Sequence, residues 1–231
     1  MKNKNFIIYT ILLIMLFANY SFGEDFKFEA AEIKILNKGN IVQSSGGVKI
    51  ISNDNLEIIA DKSIYDKDKS ILKLEGNISV NDTQNNVKIF TNKINYFKKK
   101  EIIIAEKKVR SEIKGKYTID SAELIFDRNL LEISSSNRTT LKDNFENIFS
   151  SDNFLFRIKE DILNAENLNL KDGENNDLFL ENAIVDLKKS EIVGKNINID
   201  FDNSLFSNNE NDPRLKGNSI IYNQNETAVY K

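Results

Sequence analysis

The chain has no cysteine, no histidine and no tryptophan, and its single proline is Pro213. The missing Cys and His exclude thiol catalysis, disulfide bonds, most zinc sites and any His-based catalytic triad. Carboxylate pairs and Ser/Lys chemistry are the remaining enzyme options, but the carboxylates are scattered over expected turns with no spacing that singles out a pair. We therefore expect a protein that is not an enzyme and that uses no cofactor and no metal.

Long hydrophobic runs are also missing, except at the N-terminus. Lys2 and Lys4 precede an apolar run from Phe6 to Ala18, and Ser21-Phe22-Gly23 offers a cleavage site with small residues. This pattern predicts a secretory signal peptide over residues 1–23 and an exported, soluble domain over residues 24–231. An uncleaved N-terminal anchor is the alternative. The formal net charge of −3 becomes more negative when the leader is removed, which argues against nucleic acid as a partner.

The rest of the chain repeats one pattern about every 30 residues. The clearest copy, Ala60–Val80, has an apolar run around Ile64, a polar turn over 66–70, a second run over 71–74, a Gly76-Asn77 bend and a third run. Five successive copies place an apolar residue at the same step: Ile64, Ile94, Leu124, Phe154 and Ile184.

Apolar and polar residues alternate within each run, which indicates strands with one buried face. The fold class is therefore all-β, with about 14 antiparallel strands in an elongated roll near 65 Å long. Leu141–Phe149 is the one later segment that fits a helical turn. The residues expected to point inward are Ile33, Val48, Ile50, Ile58, Ala60, Ile64, Leu72, Leu74, Ile78, Val80, Ile89, Ile94, Ile103, Ala105, Leu124, Phe126, Phe154, Phe156 and Leu168. Periodicity alone leaves a closed core and an open groove as alternatives.

Two acidic segments superficially suggest calcium loops, at residues 66–70 and 171–177. Neither has the 12-residue spacing with a terminal Glu that an EF-hand requires. Both lie where the pattern needs a turn, so we interpret them as solvated turns.

The repeated pattern of Ala/Asp-x-x-Ile-x-Tyr, a charged turn, an apolar strand and Gly-Asn-Ile/Val-x-Val resembles the OstA-type repeat of the OstA/LptA-like family. It is clearest at residues 59–66 and 74–80. The segment from Asp212 to Gly217, with Asp-Pro-Arg-Leu, is similar to a passage in the periplasmic domain of the lipopolysaccharide-assembly outer-membrane protein LptD. The sequence lacks the Cys motif and the barrel strands that follow there, so the resemblance covers roughly residues 26–231. A fragment, a truncated gene and a stand-alone paralogue all remain open.

The resemblance implies an open, V-shaped β-jelly roll whose apolar inner face shields the acyl chains of lipid A during transport to the outer membrane. The implied groove residues are Ile58, Ala60, Ile64, Leu72, Leu74, Ile78, Val80, Ile94, Ile103, Leu124, Phe126, Phe154 and Phe156. The implied ligand is lipopolysaccharide. An LptA-like bridge protein would pair with the N-terminal edge strand, and an LptE-like lipoprotein would join if a barrel is present. The edge-strand residues are Phe26, Phe28, Ile33 and Ile35.

Two alternatives stay open at this stage. One is a soluble LptA/LptC-like bridge component, which would use the same physics. The other is a secreted structural β-solenoid with a dry core and no ligand.

Overall fold

The computed structural model describes residues 26–172, 177–200, 214–222 and 227–230. These residues form one antiparallel sheet of 16 strands, with short 3₁₀ turns at Asn37–Gly39 and Lys98–Lys100. The strands are β1 (Phe26–Leu36), β2 (Ile41–Ser52), β3 (Leu56–Asp66), β4 (Ile71–Asp82), β5 (Val87–Phe97), β6 (Ile102–Ile113), β7 (Tyr117–Asp127), β8 (Glu132–Ser135), β9 (Thr139–Lys142), β10 (Ile148–Ser151), β11 (Asn153–Arg157), β12 (Ile162–Lys171), β13 (Asp177–Asp186), β14 (Glu191–Asp200), β15 (Arg214–Tyr222) and β16 (Thr227–Tyr230). The expected signal peptide lies outside the described residues.

Strands that follow one another in sequence lie next to one another in the sheet. Two pairs of short strands share a position: β8 and β9 both pair with β7, while β10 and β11 both pair with β12. If each full crossing of the sheet is called a rung, the described residues form 14 rungs. The prediction of an elongated all-β roll of about 14 strands is confirmed.

The segment from Leu141 to Phe149 is not helical, so the expectation of a helical turn there is wrong. Leu141 in β9 pairs directly with Phe149 in β10. The turn between them is held by the Asp143 carboxylate, which accepts hydrogen bonds from the backbone N–H groups of Phe145 and Asn147 at 2.8 and 3.0 Å. Such an Asx-type turn satisfies the backbone without a helix.

Each of the long strands from β1 to β6 bends in the middle, where the pairing register shifts. The bends of β2, β4 and β6 place two consecutive residues at positive φ: Gly46 and Gly47, Gly76 and Asn77, Lys107 and Lys108. Bulges of this kind add a residue and turn the strand sharply. The sheet consequently folds over on itself into two facing layers.

We call the layer that contains residues 62–66 and 71–75 the first layer, and the layer that contains residues 56–60 and 78–82 the second layer. The turns that end the first layer form the first lip, at residues 37–40, 67–70, 98–101, 128–131, 158–161 and 187–190. The turns that end the second layer form the second lip, at residues 53–55, 83–86, 114–116 and 143–147.

The bulge also explains why one prediction fails. In β3 the buried residues are Leu56, Ile58 and Ala60 before the bulge, but Ser63 and Tyr65 after it. The register shift between Ile59 and Lys62 moves the inward phase by one residue. Ile64 was expected to point inward, but it lies on the outer face and is 44% exposed.

The inner faces of the two layers pack against each other in one apolar cluster. Aromatic rings connect the layers directly: the Phe26 ring lies 5.0 Å from Tyr65 and 5.8 Å from Tyr96, and the Tyr117 ring lies 5.3 Å from Phe156. The interior of the roll is therefore filled by its own side chains.

Gly76 gives a direct test of the bend. A Cβ at Gly76 would lie 2.2 Å from the Asp61 Oδ2 atom, whereas a Cβ at Gly47, at the equivalent bend of β2, would contact nothing within 4 Å. Both residues have positive φ, so Gly47→Ala should cost about 1–2 kcal/mol of stability from backbone strain alone. Gly76→Ala should cost roughly 1–3 kcal/mol more, because Asp61 must move and lose the hydrogen bond from Asn77 at 2.9 Å. Urea denaturation of both variants measures the difference, and equal losses would contradict this account of the bend.

Candidate functional site

The candidate site is the inner face of the roll. All of the predicted groove residues except Ile64 lie there, and each is at most 3% exposed. They are Ile58, Ala60, Leu72, Leu74, Ile78, Val80, Ile94, Ile103, Leu124, Phe126, Phe154 and Phe156. The structure thus brings them into one cluster, and contact with lipid stays a prediction.

Cross-strand pairing arranges these side chains in continuous rows along the roll. Beside the first lip, Leu72 pairs with Tyr96, Tyr96 with Ile103, and Ile103 with Phe126. The row continues through Ile133, Phe156 and Leu163. A chain of methylene groups running along the roll would meet apolar side chains at every rung of this row.

The β1 end of the roll is different. Ile33 pairs with Ser44 and Ile35 with Val42, both of which are buried inner residues, yet Ile33 is 43% and Ile35 68% exposed. The expectation that Ile33 belongs to the buried core is wrong, because β1 is the end rung of the sheet and no other described strand lies beyond it. Phe26, in contrast, is buried between the layers. Of the proposed edge residues, Ile33 and Ile35 are therefore the accessible ones, and β1 pairs only with β2 among the described strands.

The two lips are joined by a network of ion pairs that we call the lip network. It consists of Arg128, Lys98 and Glu101 on the first lip, Asp54 on the second lip, and Asp82 at the end of β4 next to the second lip. The Arg128 guanidinium donates to Asp82 Oδ2 at 2.8 Å and to Asp54 Oδ2 at 2.6 Å, and it also contacts Glu101. Lys98 Nζ lies 2.6 Å from Glu101 Oε1 and 3.4 Å from Asp54 Oδ2. The Arg128 side chain is 5% exposed and that of Asp82 0%. The lips are therefore held together here by buried charges.

Tyr96 connects this network to the apolar interior. Its hydroxyl donates to Glu101 Oε2 at 2.6 Å and accepts from Arg128 Nη1 at 3.0 Å, while its ring contacts Phe26. Burial, followed by the hydrogen bond to Glu101, raises the pKa of Tyr96 far above its ordinary value, so the phenol stays protonated.

The charges of the lip network shift the ionisation of its members. Burial disfavours the charged form of Asp54, but hydrogen bonds from Ser52 and Arg128 and the charges of Arg128 and Lys98 outweigh it and hold its pKa well below the usual range. Burial opposes the charge of Arg128 as well, yet the hydrogen bonds to Asp82 and Asp54 raise its pKa above the usual value. Asp54 and Arg128 are therefore both charged at neutral pH.

A second ion pair joins the lips further along the roll. Lys114 of the second lip lies 2.7 Å from Asp161 Oδ1 of the first lip, and both side chains are largely buried. In this pair the cation lies on the second lip and the carboxylate on the first, which is the opposite of the arrangement in the lip network. Both contacts join residues that are far apart in sequence. Lys114 and Asp161 are 47 residues apart, and Arg128 and Asp54 are 74 residues apart.

The lip network was not predicted, because Arg128 and Lys98 lie in charged turns and the sequence does not show which turns meet in the fold. One signal was present in the sequence. Asp82 follows Ile78 and Val80 in the inward phase of β4, so alternation placed a carboxylate among buried residues. A buried carboxylate requires a cation as partner.

Acid titration tests the electrostatic account. The pKa of Asp54 is depressed in the folded state, so its contribution to stability is complete above the unfolded pKa, roughly pH 4, and is lost as pH falls towards the lower folded pKa. Wild-type protein should therefore lose stability below that pH more steeply than Asp54→Asn, whose side chain does not titrate. Urea midpoints at a series of pH values measure the two slopes. Parallel slopes for wild type and Asp54→Asn would contradict this account.

The outer face of the first layer carries a surface groove of about 850 Å³ over the later rungs. Leu155, Ile184 and Val193 line it on the outward phase, and the last two are about half exposed. The 30-residue spacing predicts that Ile184 is equivalent to Ile94 and Leu124, but those two residues are buried whereas Ile184 is exposed. The repeats differ in length by a residue, so strict steps of 30 do not keep one phase.

Among the described residues, no helix combines the length and the apolar character needed to cross a membrane.

Comparison with known proteins gives one family. The family model of OstA-like proteins matches residues 24–143, which is just over half of the chain and runs from β1 through β9. No curated protein matches the sequence. Among solved structures, LptH from Pseudomonas aeruginosa, described as the LptA homologous periplasmic component of the conserved lipopolysaccharide transport device, is 13% identical. That match covers 44% of this chain and 75% of LptH with a TM-score of 0.37, which is too low to support an argument about function.

Proposed function

The chain belongs to the family of OstA-like proteins, and from this membership and its continuous apolar interior we propose that it is a periplasmic component of lipopolysaccharide transport. The observation that carries the proposal is the inner face, whose apolar rows extend without a break over successive rungs. Such a face can take lipid A acyl chains between the layers while the sugar part stays in water at the lips. Transport of this kind needs no catalytic residue.

In its finer form, the proposal is that this chain corresponds to the N-terminal periplasmic part of an LptD-like assembly protein at the outer membrane. Residues 1–23 would direct export and residues 24–231 would form the periplasmic roll. The Asp-Pro-Arg-Leu passage supports this form over a soluble bridge component, although Asp212 and Pro213 lie outside the described residues.

The energetics favour sliding over trapping. Each methylene removed from water contributes about 0.8 kcal/mol, so a chain of 12–14 carbons contributes on the order of 10 kcal/mol. Because the interior is filled, an entering chain replaces contacts between the two layers, and the net gain is smaller than this. Because the rungs have similar composition, the free energy gained by burying the acyl chain is similar at each rung. The chain therefore moves along the roll without a deep energy minimum. Directed motion then requires an energy source outside this chain.

Binding of lipopolysaccharide to the purified protein tests the proposal. We expect fluorescent lipopolysaccharide to co-elute with the protein in gel filtration and to be displaced by a long-chain fatty acid, because both compete for the same apolar interior. A folded protein that binds neither compound would refute transport and favour a structural solenoid with a dry core.

We further propose that an LptA-like bridge protein adds its terminal strand to β1, in line with the β1 edge that no other described strand covers and with the accessible Ile33 and Ile35. Lys34→Pro should weaken crosslinking between the two proteins at least several-fold, because proline removes a backbone donor and disrupts strand pairing at the edge. Lys34→Ala is the matched control and should crosslink like wild type. If crosslinking of Lys34→Pro is unchanged, the partner does not use this edge.

A further inference from the structure

The first lip is basic, since its turns carry ten Lys or Arg residues against the four acids Asp68, Glu101, Glu160 and Asp161. The first-lip turns are rich in basic residues: Lys38, Lys67, Lys69, Lys98, Lys99, Lys100, Arg128, Lys159, Lys188 and Lys189. The turns of the second lip are nearly balanced in charge, with Asp54, Asp143 and Glu146 against Lys114 and Lys116, and Asp82 lies next to them at the end of β4. In the lip network, Arg128 and Lys98 of the first lip meet the carboxylates of Asp54 and Asp82.

Any ligand that occupies the interior must separate the layers, because the interior is filled by side chains. Separation takes Asp54 and Asp82 away from Arg128 and Lys98, and only Glu101 stays beside the two cations. The Arg128 guanidinium, which is 5% exposed in the closed roll, then loses the two carboxylates that cover it and becomes accessible. The opened roll therefore presents two cations to an anion at this position.

The surroundings of Arg128 fit an anion that belongs to an amphiphile. Guanidinium groups bind phosphate and carboxylate with paired hydrogen bonds, and the exposed Lys99 and Lys100 lie on the same turn as Lys98. Directly inside, Tyr96, Ile103 and Phe126 form the apolar row beside the first lip. A charged group at the lip would thus have its hydrocarbon chain among these residues.

We propose that Arg128 and Lys98 form a binding site for the phosphate or carboxylate group of an amphiphile whose chain enters between the layers, the anion taking the place of Asp54 and Asp82. The site rests on the proposed function, because it operates when a chain occupies the interior. The lip network is then a closed state that an anionic amphiphile opens more readily than an uncharged one of equal chain length.

Displacement of a fluorescent apolar reporter from the purified protein tests this site, with dodecyl phosphate and its uncharged dimethyl ester as the two probes. Wild-type protein should bind dodecyl phosphate about tenfold more tightly than the ester, as charge-assisted hydrogen bonds to a cation predict. Lys98→Gln should narrow this preference to about threefold, since one of the two cations is lost. Lys69→Gln, an exposed lysine of the preceding first-lip turn, should keep the full preference.

The outcomes separate the two proposals. If both probes displace the reporter equally, in wild type as in Lys98→Gln, the apolar interior stands and the anion site is refuted. If neither probe displaces the reporter, the proposed function fails and this site fails with it. If inorganic phosphate alone competes as well as dodecyl phosphate, the site binds free phosphate, and the assignment to an amphiphile is overturned.

Discussion

Ile58→Asp will unfold the protein or leave it barely stable, whereas Ile59→Asp will leave it nearly as stable as wild type. The two residues are neighbours in β3, but Ile58 is 1% exposed inside the roll and Ile59 is 48% exposed on its outer face. A carboxylate at position 58 has no cation within the apolar cluster, so its cost is on the order of 4–5 kcal/mol. That is comparable with the whole stability of an ordinary domain, about 5–15 kcal/mol.

The same substitution on the outer face meets water and should change stability by about 0.5 kcal/mol in either direction. Circular dichroism with urea denaturation measures both variants. Because residue type and local sequence are matched, the comparison isolates which face of the sheet is inside. Equal losses for the two variants would contradict the inward phase assigned to β3.

Arg128→Gln will cause a second large loss, about 3–5 kcal/mol, as expected when one partner of a buried ion pair is removed. Asp82 would keep its hydrogen bonds from the backbone and side chain of Asn85, at 3.1 and 2.8 Å, but its fully buried carboxylate would lose its cation. Asp54 would also lose its 2.6 Å contact. The loss of unfolding free energy should therefore be larger than the loss on removing one partner of a surface ion pair.

Arg110→Gln is the matched control for this prediction. Arg110 makes a two-point contact with Asp120 at 2.8 and 3.0 Å, but both side chains are about half exposed, so the expected loss is below about 1 kcal/mol. Adding Asp82→Asn to Arg128→Gln should recover part of the stability, because the uncompensated charge is removed. If the double variant is no more stable than Arg128→Gln alone, the buried charge of Asp82 does not cause the stability loss of Arg128→Gln.

The sequence was sufficient to predict the repeated strands, the number of rungs and most of the buried face, because alternation and turn residues are local signals. Ile78 and Phe126 were placed correctly for this reason. Ile64 was not, since its orientation depends on a bulge whose effect on phase appears only in the pairing of β3 with β4. Ile33 was misplaced because alternation does not show where a sheet ends.

The lip network could not be predicted from local patterns. Arg128 is 46 residues from Asp82 and 74 from Asp54, and only the folding of the sheet into two layers brings these turns together. In sequence, Arg128 looks like any charged turn residue. The filled interior was likewise undetermined, since an inward apolar face fits both an open groove and a closed core.

We propose that acyl chains of lipopolysaccharide pass between the two layers. Photo-crosslinking in living cells tests it most directly, with a photoreactive amino acid at Phe126, which is 1% exposed inside the roll, and at its outward neighbour Ile125. We predict an adduct with lipopolysaccharide at position 126 and none at position 125. Crosslinks at position 126 that join only parts of the same chain would contradict the claim.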